Sequence, residues 1–209
     1  TLTAGNVGSF GAQHSQSLEG WLAHTPGLKV IYPSTPYEAK GLLLSCIDDP
    51  DPCIFFESMR SYFTPCPVPE GHYTIPLSMA DIKRPGKDVT IISYGWTIAD
   101  ALAAAETLAK EGVDAEVLDL RSIVPLDRAA ILESVGRTQR ALIVHAAVEF
   151  GGFGAELATM IHQNLHGRLK APVARVGARY TPVPFSQALE SLHFPNEARI
   201  LESVRALVK

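Results

Sequence analysis

Three consecutive runs decide the fold: Asp88-Val-Thr-Ile-Ile-Ser93, then Ile98-Ala-Asp-Ala-Leu-Ala-Ala-Ala-Glu-Thr-Leu-Ala-Lys-Glu111, then Ala115-Glu-Val-Leu-Asp119. The outer two are short, apolar and bounded by polar residues, as strands buried on both faces are. The middle run is alanine-rich, and its apolar positions keep helical spacing. A strand, a helix and a strand in that order imply parallel pairing through a right-handed crossover. The rhythm continues downstream, with helices expected over 127–135, 155–165 and 197–208. Further strands are expected at Ala141-Leu-Ile-Val-His145 and Pro172-Val-Ala-Arg-Val176. The second half therefore reads as an α/β, doubly wound, mostly parallel sheet.

Toward the N-terminus, Leu28-Lys-Val-Ile-Tyr32 reads as a short buried strand closed by Pro33. A helix follows, with Thr35 as N-cap, Pro36 at its first position and Glu38 completing a capping box. Ala39, Leu42, Leu43 and Cys46 form its apolar stripe. Asp48-Asp-Pro-Asp-Pro52 ends it, and Cys53-Ile-Phe-Phe56 is the next strand. Residues 58–86 lose all periodicity and carry Pro65, Pro67, Pro69, Pro76 and Pro85, the composition of an interdomain linker with some extended structure. The opening run Thr1-Leu-Thr-Ala-Gly-Asn-Val-Gly-Ser-Phe-Gly11 is a glycine-rich loop with no element long enough to stand alone. The expectation is that the chain is the C-terminal part of something longer.

Composition narrows the function. With 209 residues, nearly half of them hydrophobic, the chain can bury a sizeable core. Lys+Arg 18 against Asp+Glu 22 leaves a net charge of −4, without the basic surplus of a general nucleic-acid binder. No apolar run reaches the length of a membrane helix. Three cysteines with no C-x-x-C point away from a disulfide scaffold or a zinc site.

Several residues invite a chemical reading. Gly151-Gly152-Phe153-Gly154 opens a helix after a strand, but lacks the order of a dinucleotide fingerprint or a P-loop, so tight turning and close packing explain it better. His145 ends a strand at the carboxyl edge of the sheet, where a hydrogen-bonded structural histidine is the more common outcome. Asp119 and Arg121 read as a local ion pair. Asp48, Asp49 and Asp51 crowd a helix C-terminus, where the dipole is already negative. A solvated acidic loop is the plainer reading, and a bound cation the alternative. His14, in Gly11-Ala-Gln-His-Ser-Gln16, has the setting of a general acid–base.

The motifs Gly-Ala-Gln-His-Ser-Gln-Ser (11–17), Pro-Gly-Leu-Lys-Val (26–30), Asp-Pro-Cys-Ile-Phe-Phe-Glu (51–57), Asp-Leu-Arg-Ser (119–122), Gly-Gly-Phe-Gly-Ala-Glu (151–156) and Thr-Pro-Val-Pro (181–184) run in one order along the whole chain. Together they resemble the beta subunit of the thiamine-diphosphate-dependent decarboxylase component of 2-oxo acid dehydrogenase complexes. Leu-Leu-Leu-Ser-Cys-Ile (42–47) and Pro-Cys-Ile-Phe-Phe-Glu (52–57) lean toward the branched-chain type.

The resemblance implies a transketolase-like architecture. Residues 1–62 would be the remnant of a pyrimidine-binding domain, 63–75 a linker and 76–209 a transketolase C-terminal domain. It implies oxidative decarboxylation of a 2-oxo acid with acyl transfer to a lipoyl group, by a heterotetramer with an alpha subunit. That assembly would serve a lipoyl-bearing acyltransferase core, with beta–beta self-association and neither nucleic acid nor membrane as partner. Thiamine diphosphate and Mg²⁺ would be held mainly by the alpha subunit, in the cytoplasm of a bacterium or the mitochondrial matrix of a eukaryote. His14 inherits a catalytic role, and Leu2, Thr3, Cys46, Asp49 and Asp51 the ligands of a structural K⁺. The family glutamate that contacts the cofactor pyrimidine lies upstream of this chain, so no residue here inherits that role and the isolated chain is expected to be inactive. His145-Ala146-Ala147 departs from the family's His-Glu-Ala. Alternatives are a non-catalytic assembly scaffold, or the beta subunit of a pyruvate or acetoin dehydrogenase.

Overall fold

A computed structural model of the chain describes residues 1–3, 5 and 8–209; Ala4, Asn6 and Val7, in the middle of the glycine-rich loop, lie outside the described residues. The N-terminal layer contains β1 (Leu2–Thr3), two short helices α1 (Gly11–His14) and α2 (Glu19–Ala23), β2 (Lys29–Ile31), α3 (Pro36–Asp48) and β3 (Cys53–Glu57). β3 runs parallel to both β1 and β2, with Leu2 opposite Phe56 and Lys29 opposite Cys53. The α3 start follows the sequence, since Thr35 Oγ1 accepts from Glu38 N–H at 3.2 Å and Pro36 occupies the first turn. The Glu38 side chain departs from the capping-box reading: it accepts from Ser34 N–H at 3.2 Å and is otherwise drawn into buried ion pairs.

The second half of the chain carries β4 (Asp81–Arg84), β5 (Val89–Ser93), α4 (Thr97–Lys110), β6 (Ala115–Asp119), β7 (Ser122–Val124), α5 (Arg128–Thr138), β8 (Ala141–Val148), α6 (Gly154–Leu165), β9 (Ala174–Ala178), α7 (Gln187–His193) and α8 (Glu197–Val208), and its strands other than β7 form the second sheet. Its order is β4-β6-β5-β8-β9, with only β4 antiparallel. Successive strand residues serve opposite faces. Val89, Ile91, Val117, Leu142 and Val144 pack under α4 and α8. Ile92, Leu118, Ala141 and Ile143 pack on the other side with α5 and α6. Both faces are buried, which is why these strands read as continuous apolar runs.

β4, β7 and α7 had no clear signal. β4 holds charged side chains on an edge, β7 is three residues long, and α7 has exposed Leu189 and Leu192. β7 pairs antiparallel with β2, so a strand from the second half completes the first sheet in the order β1-β3-β2-β7. Val30, Tyr32 and Phe56 also share one apolar core with Ile92, Tyr94 and Trp96. The two halves are therefore joined by a ladder and a common core, while α3 covers the far face of the first sheet through Ile31, Leu42 and Phe55.

Candidate functional site

His14 ends α1, a single helical turn that enters through Gly11 at φ +72°. It faces an open cleft of about 530 Å³ lined also by Leu2, Thr3, Phe10, Gln13, Gln16, Leu18 and Met59. The imidazole is exposed, so it can meet a bound molecule and exchange protons with it. The rest of the cleft wall is largely apolar with two amides and the Thr3 hydroxyl, and none of its described residues is a carboxylate, lysine or arginine.

Beneath this cleft the chain is fixed by buried polar contacts. Gly5 N–H donates to the Gln16 carbonyl at 3.2 Å, closing the loop that carries His14. Glu19, fully buried at the start of α2, accepts from Ser17 Oγ at 2.6 Å and from the Tyr94 hydroxyl at 2.9 Å. Burial raises the Glu19 carboxyl above its usual range. The Tyr94 ring stacks on His145.

A second polar cluster joins the two halves. Ser34 Oγ lies 2.7 Å from Glu38 and 2.5 Å from Asp119, two carboxylates with no exposure. Lys83 pairs with Glu38 and, at 2.8 Å, with Asp81; Arg121 pairs with Glu38 at 2.6 Å and Asp81 at 2.8 Å. The expected Asp119–Arg121 ion pair is replaced by a backbone contact, Arg121 N–H to Asp119 Oδ1 at 3.0 Å, because Arg121 adopts φ 58° and its guanidinium turns toward α3. Burial and the neighbouring Glu38 charge push Asp119 up to about 7. Against burial, Lys83 holds Glu38 down at about 2. Sequence reasoning missed this cluster, since Glu38 and Asp119 stand 81 positions apart and carry only local cues.

His145 is fully buried, and its Nδ1 lies 3.0 Å from the Ala147 carbonyl. Burial lowers it to about 4, so the ring is neutral and closed to substrate. The Gly151-Gly152-Phe153-Gly154 turn wraps this ring: a Cβ on Gly154 would stand 2.5 Å from His145 Nε2, and one on Gly152 would stand 2.8 Å from Cε1. The glycines thus have a packing role.

At the other end of β3, the acidic helix end is met by a lysine. Lys29 Nζ lies 2.6 Å from Asp49 Oδ1 and 3.1 Å from Asp51. Burial and the adjacent Cys53 thiol push Cys46 up to about 12, so its sulfur is a neutral thiol. Leu2 and Thr3 pair farther along β3, beside Phe56 and Glu57. The structure thus brings Asp49 and Asp51 together with Lys29, and places Leu2 and Thr3 in the cleft with His14. Among the described residues no group of three His, Cys, Asp or Glu side chains is arranged to hold a metal.

Comparison with known proteins places these features in a family. Residues 2–64 match the model "Transketolase, pyrimidine binding domain" and residues 78–200 match "Transketolase, C-terminal domain". The chain is 46% identical to the acetoin:2,6-dichlorophenolindophenol oxidoreductase subunit beta of Cupriavidus necator, over 95% of this chain and 59% of that protein. It is 47% identical to the pyruvate dehydrogenase E1 component subunit beta of Bacillus subtilis, over 94% of this chain and 60% of that protein. Identity to the mitochondrial 2-oxoisovalerate dehydrogenase subunit beta 2 of Arabidopsis thaliana is 42%, over 98% of this chain and 57% of that protein. The chain thus spans less than two thirds of the length of these relatives. A solved structure titled "Split gene transketolase, inactive beta4 tetramer" superposes with a TM-score of 0.79 at 23% identity, covering 98% of this chain and 65% of that one, and shares the fold.

Proposed function

The chain belongs to the transketolase family, and from that premise we propose that it forms part of a beta subunit in a 2-oxo acid dehydrogenase decarboxylase component. The supporting observation is that both domain matches run in order while His14 faces an open cleft. The whole subunit, paired with an alpha subunit, would decarboxylate a 2-oxo acid and pass the acyl group to a lipoyl-bearing core. Thiamine diphosphate, when bound, supplies the electron sink for that decarboxylation. Among the described residues the His14 cleft offers an imidazole, a hydroxyl, two amides and apolar surface, but no carboxylate for the pyrimidine and no lysine or arginine for the diphosphate. These residues do not fit the cofactor by themselves. His14 can donate a hydrogen bond to a substrate carboxylate or acyl oxygen and exchange a proton there.

The domain division proposed is 1–62, 63–75 and 76–209, and the compartment is bacterial cytoplasm or mitochondrial matrix. The branched-chain lean remains the specificity proposed, with pyruvate and acetoin as competitors. Co-expression of the full-length parent subunit with its alpha subunit, followed by lipoamide-dependent turnover on branched 2-oxo acids, pyruvate and acetoin, tests it. Turnover on none of them overturns the reading, and the preferred substrate fixes the class.

The same reading carries a structural monovalent cation at Leu2, Thr3, Cys46, Asp49 and Asp51. Lys29 limits it: its ammonium already meets both carboxylates, leaving chiefly backbone carbonyls as ligands. A cation bound only by the native state raises the melting temperature by linkage. Equal melting in potassium and choline chloride would retire the site.

A further inference from the structure

Glu190 lies on α7 with 1% exposure, yet no ion pair joins it to a cation among the described residues. Its carboxylate is satisfied from the opposite end of the sequence. Gly8 N–H donates to Oε2 at 3.0 Å, and Ser9 N–H reaches Oε2 at 3.0 Å and Oε1 at 3.1 Å. Gly8 adopts φ +147° and Ser9 φ 62°, so two successive amides converge on one anion. A non-glycine residue in the left-handed region is uncommon and is held there by its surroundings. The anchor is itself tied by hydrogen bonds. Arg179 Nε donates to the Leu192 carbonyl at 3.0 Å, and Arg199 donates to the Phe194 carbonyl at 3.2 Å, tying the α7 C-terminus to the body.

The amides held by Glu190 stand immediately before α1, whose last residue is His14. On the far side of His14, Gly5 N–H to Gln16 O closes the same loop. A buried carboxylate without a cation is costly unless strong hydrogen bonds satisfy it, and charge-assisted bonds to backbone N–H are of that kind.

We infer that Glu190 is a positioning residue: through the Gly8 and Ser9 amides, the C-terminal half of the chain sets where His14 stands in its cleft. The catalytic consequence rests on the reading of His14 given above, whereas the hold on the loop does not. Two measurements separate them. In the 209-residue chain, Glu190→Gln keeps the shape but turns one oxygen into a donor that faces an N–H. Amide hydrogen exchange at Gly8 and Ser9 should accelerate by about tenfold or more, with Ile91 in β5 unchanged. Leu189→Ala, on the exposed side of α7, should leave both alone. Unchanged exchange at Gly8 and Ser9, or an acceleration equal across the sheet, overturns the inference. Should Glu190→Gln not fold, scalar couplings across the hydrogen bonds from Gly8 and Ser9 to the Glu190 carboxyl in the wild-type chain decide, and their absence overturns it.

In the full-length heterotetramer, Glu190→Gln should lower kcat by about tenfold, with KM within about twofold. It should have no added effect in a His14→Ala background. Additive losses overturn the claim that Glu190 acts through His14. Full turnover by His14→Ala alone overturns the catalytic consequence together with the reading of His14, while the exchange result still judges the hold on the loop.

Discussion

At the scale of single residues, charge placement in the core separates two carboxylates of one cluster. Asp119 is held up near 7 by burial and by Glu38, and Glu38 is held near 2 by Lys83 against burial. A carboxyl whose native pKa is raised binds more protons folded than unfolded, so its contribution falls as pH climbs from the unfolded value of about 4 to about 7. Glu38 has the opposite sign, contributing above about 4.5 and losing that contribution as pH falls toward 2. Asp119→Asn can keep an acceptor Oδ1 for the Arg121 amide, turns the group facing Ser34 Oγ into an N–H donor, and removes the titration. Urea unfolding should therefore show wild type losing stability from pH 5 to pH 8 relative to Asp119→Asn, and parallel profiles would contradict the assignment. Glu38→Gln leaves Lys83 and Arg121 poorly matched, and should cost about 3 kcal/mol at neutral pH in the same assay.

At the scale of elements, the same substitution should have opposite signs in two helices. Glycine inside a helix is worse than alanine by about 1 kcal/mol. In α5, a Cβ on Gly136 would meet only Arg168 at 3.5 Å and Leu165 at 3.9 Å, ordinary contacts. Gly136→Ala should therefore stabilise the chain by about 0.5–1 kcal/mol. In α6, a Cβ on Gly154 would press on the buried His145 ring, which is fixed by Ala147 and stacked on Tyr94. Gly154→Ala, at the first position of α6, should destabilise by about 1–3 kcal/mol. Denaturant midpoints of the two variants check the pair, and a shared sign would remove the packing argument.

At the scale of the whole molecule, the two halves form one body through the β2–β7 ladder and a common core, with the His14 cleft opening beside β1. Among the described residues that cleft has no lysine or arginine to neutralise a diphosphate and no carboxylate to meet an aminopyrimidine. Calorimetric titration of the 209-residue chain with thiamine diphosphate and Mg²⁺ should accordingly show no saturable heat at micromolar concentration. A clear isotherm would mean that this chain alone builds the cofactor site.

The sequence by itself determined the parallel sheet, the N-cap at Thr35 and the family, because apolar period, capping and motif order are written within short windows. It also singled out His14 as a candidate and explained the glycines at 151–154 by packing. Only the tertiary structure decided that β7 would complete the first sheet, that Arg121 would leave Asp119 for Glu38 and Asp81, and that Lys29 would answer the acidic helix end. The same holds for Glu190, which meets Ser9 across 181 positions. A buried charge has no period and no local partner, so its destination is set when distant segments are packed together and each desolvated group must find a hydrogen bond.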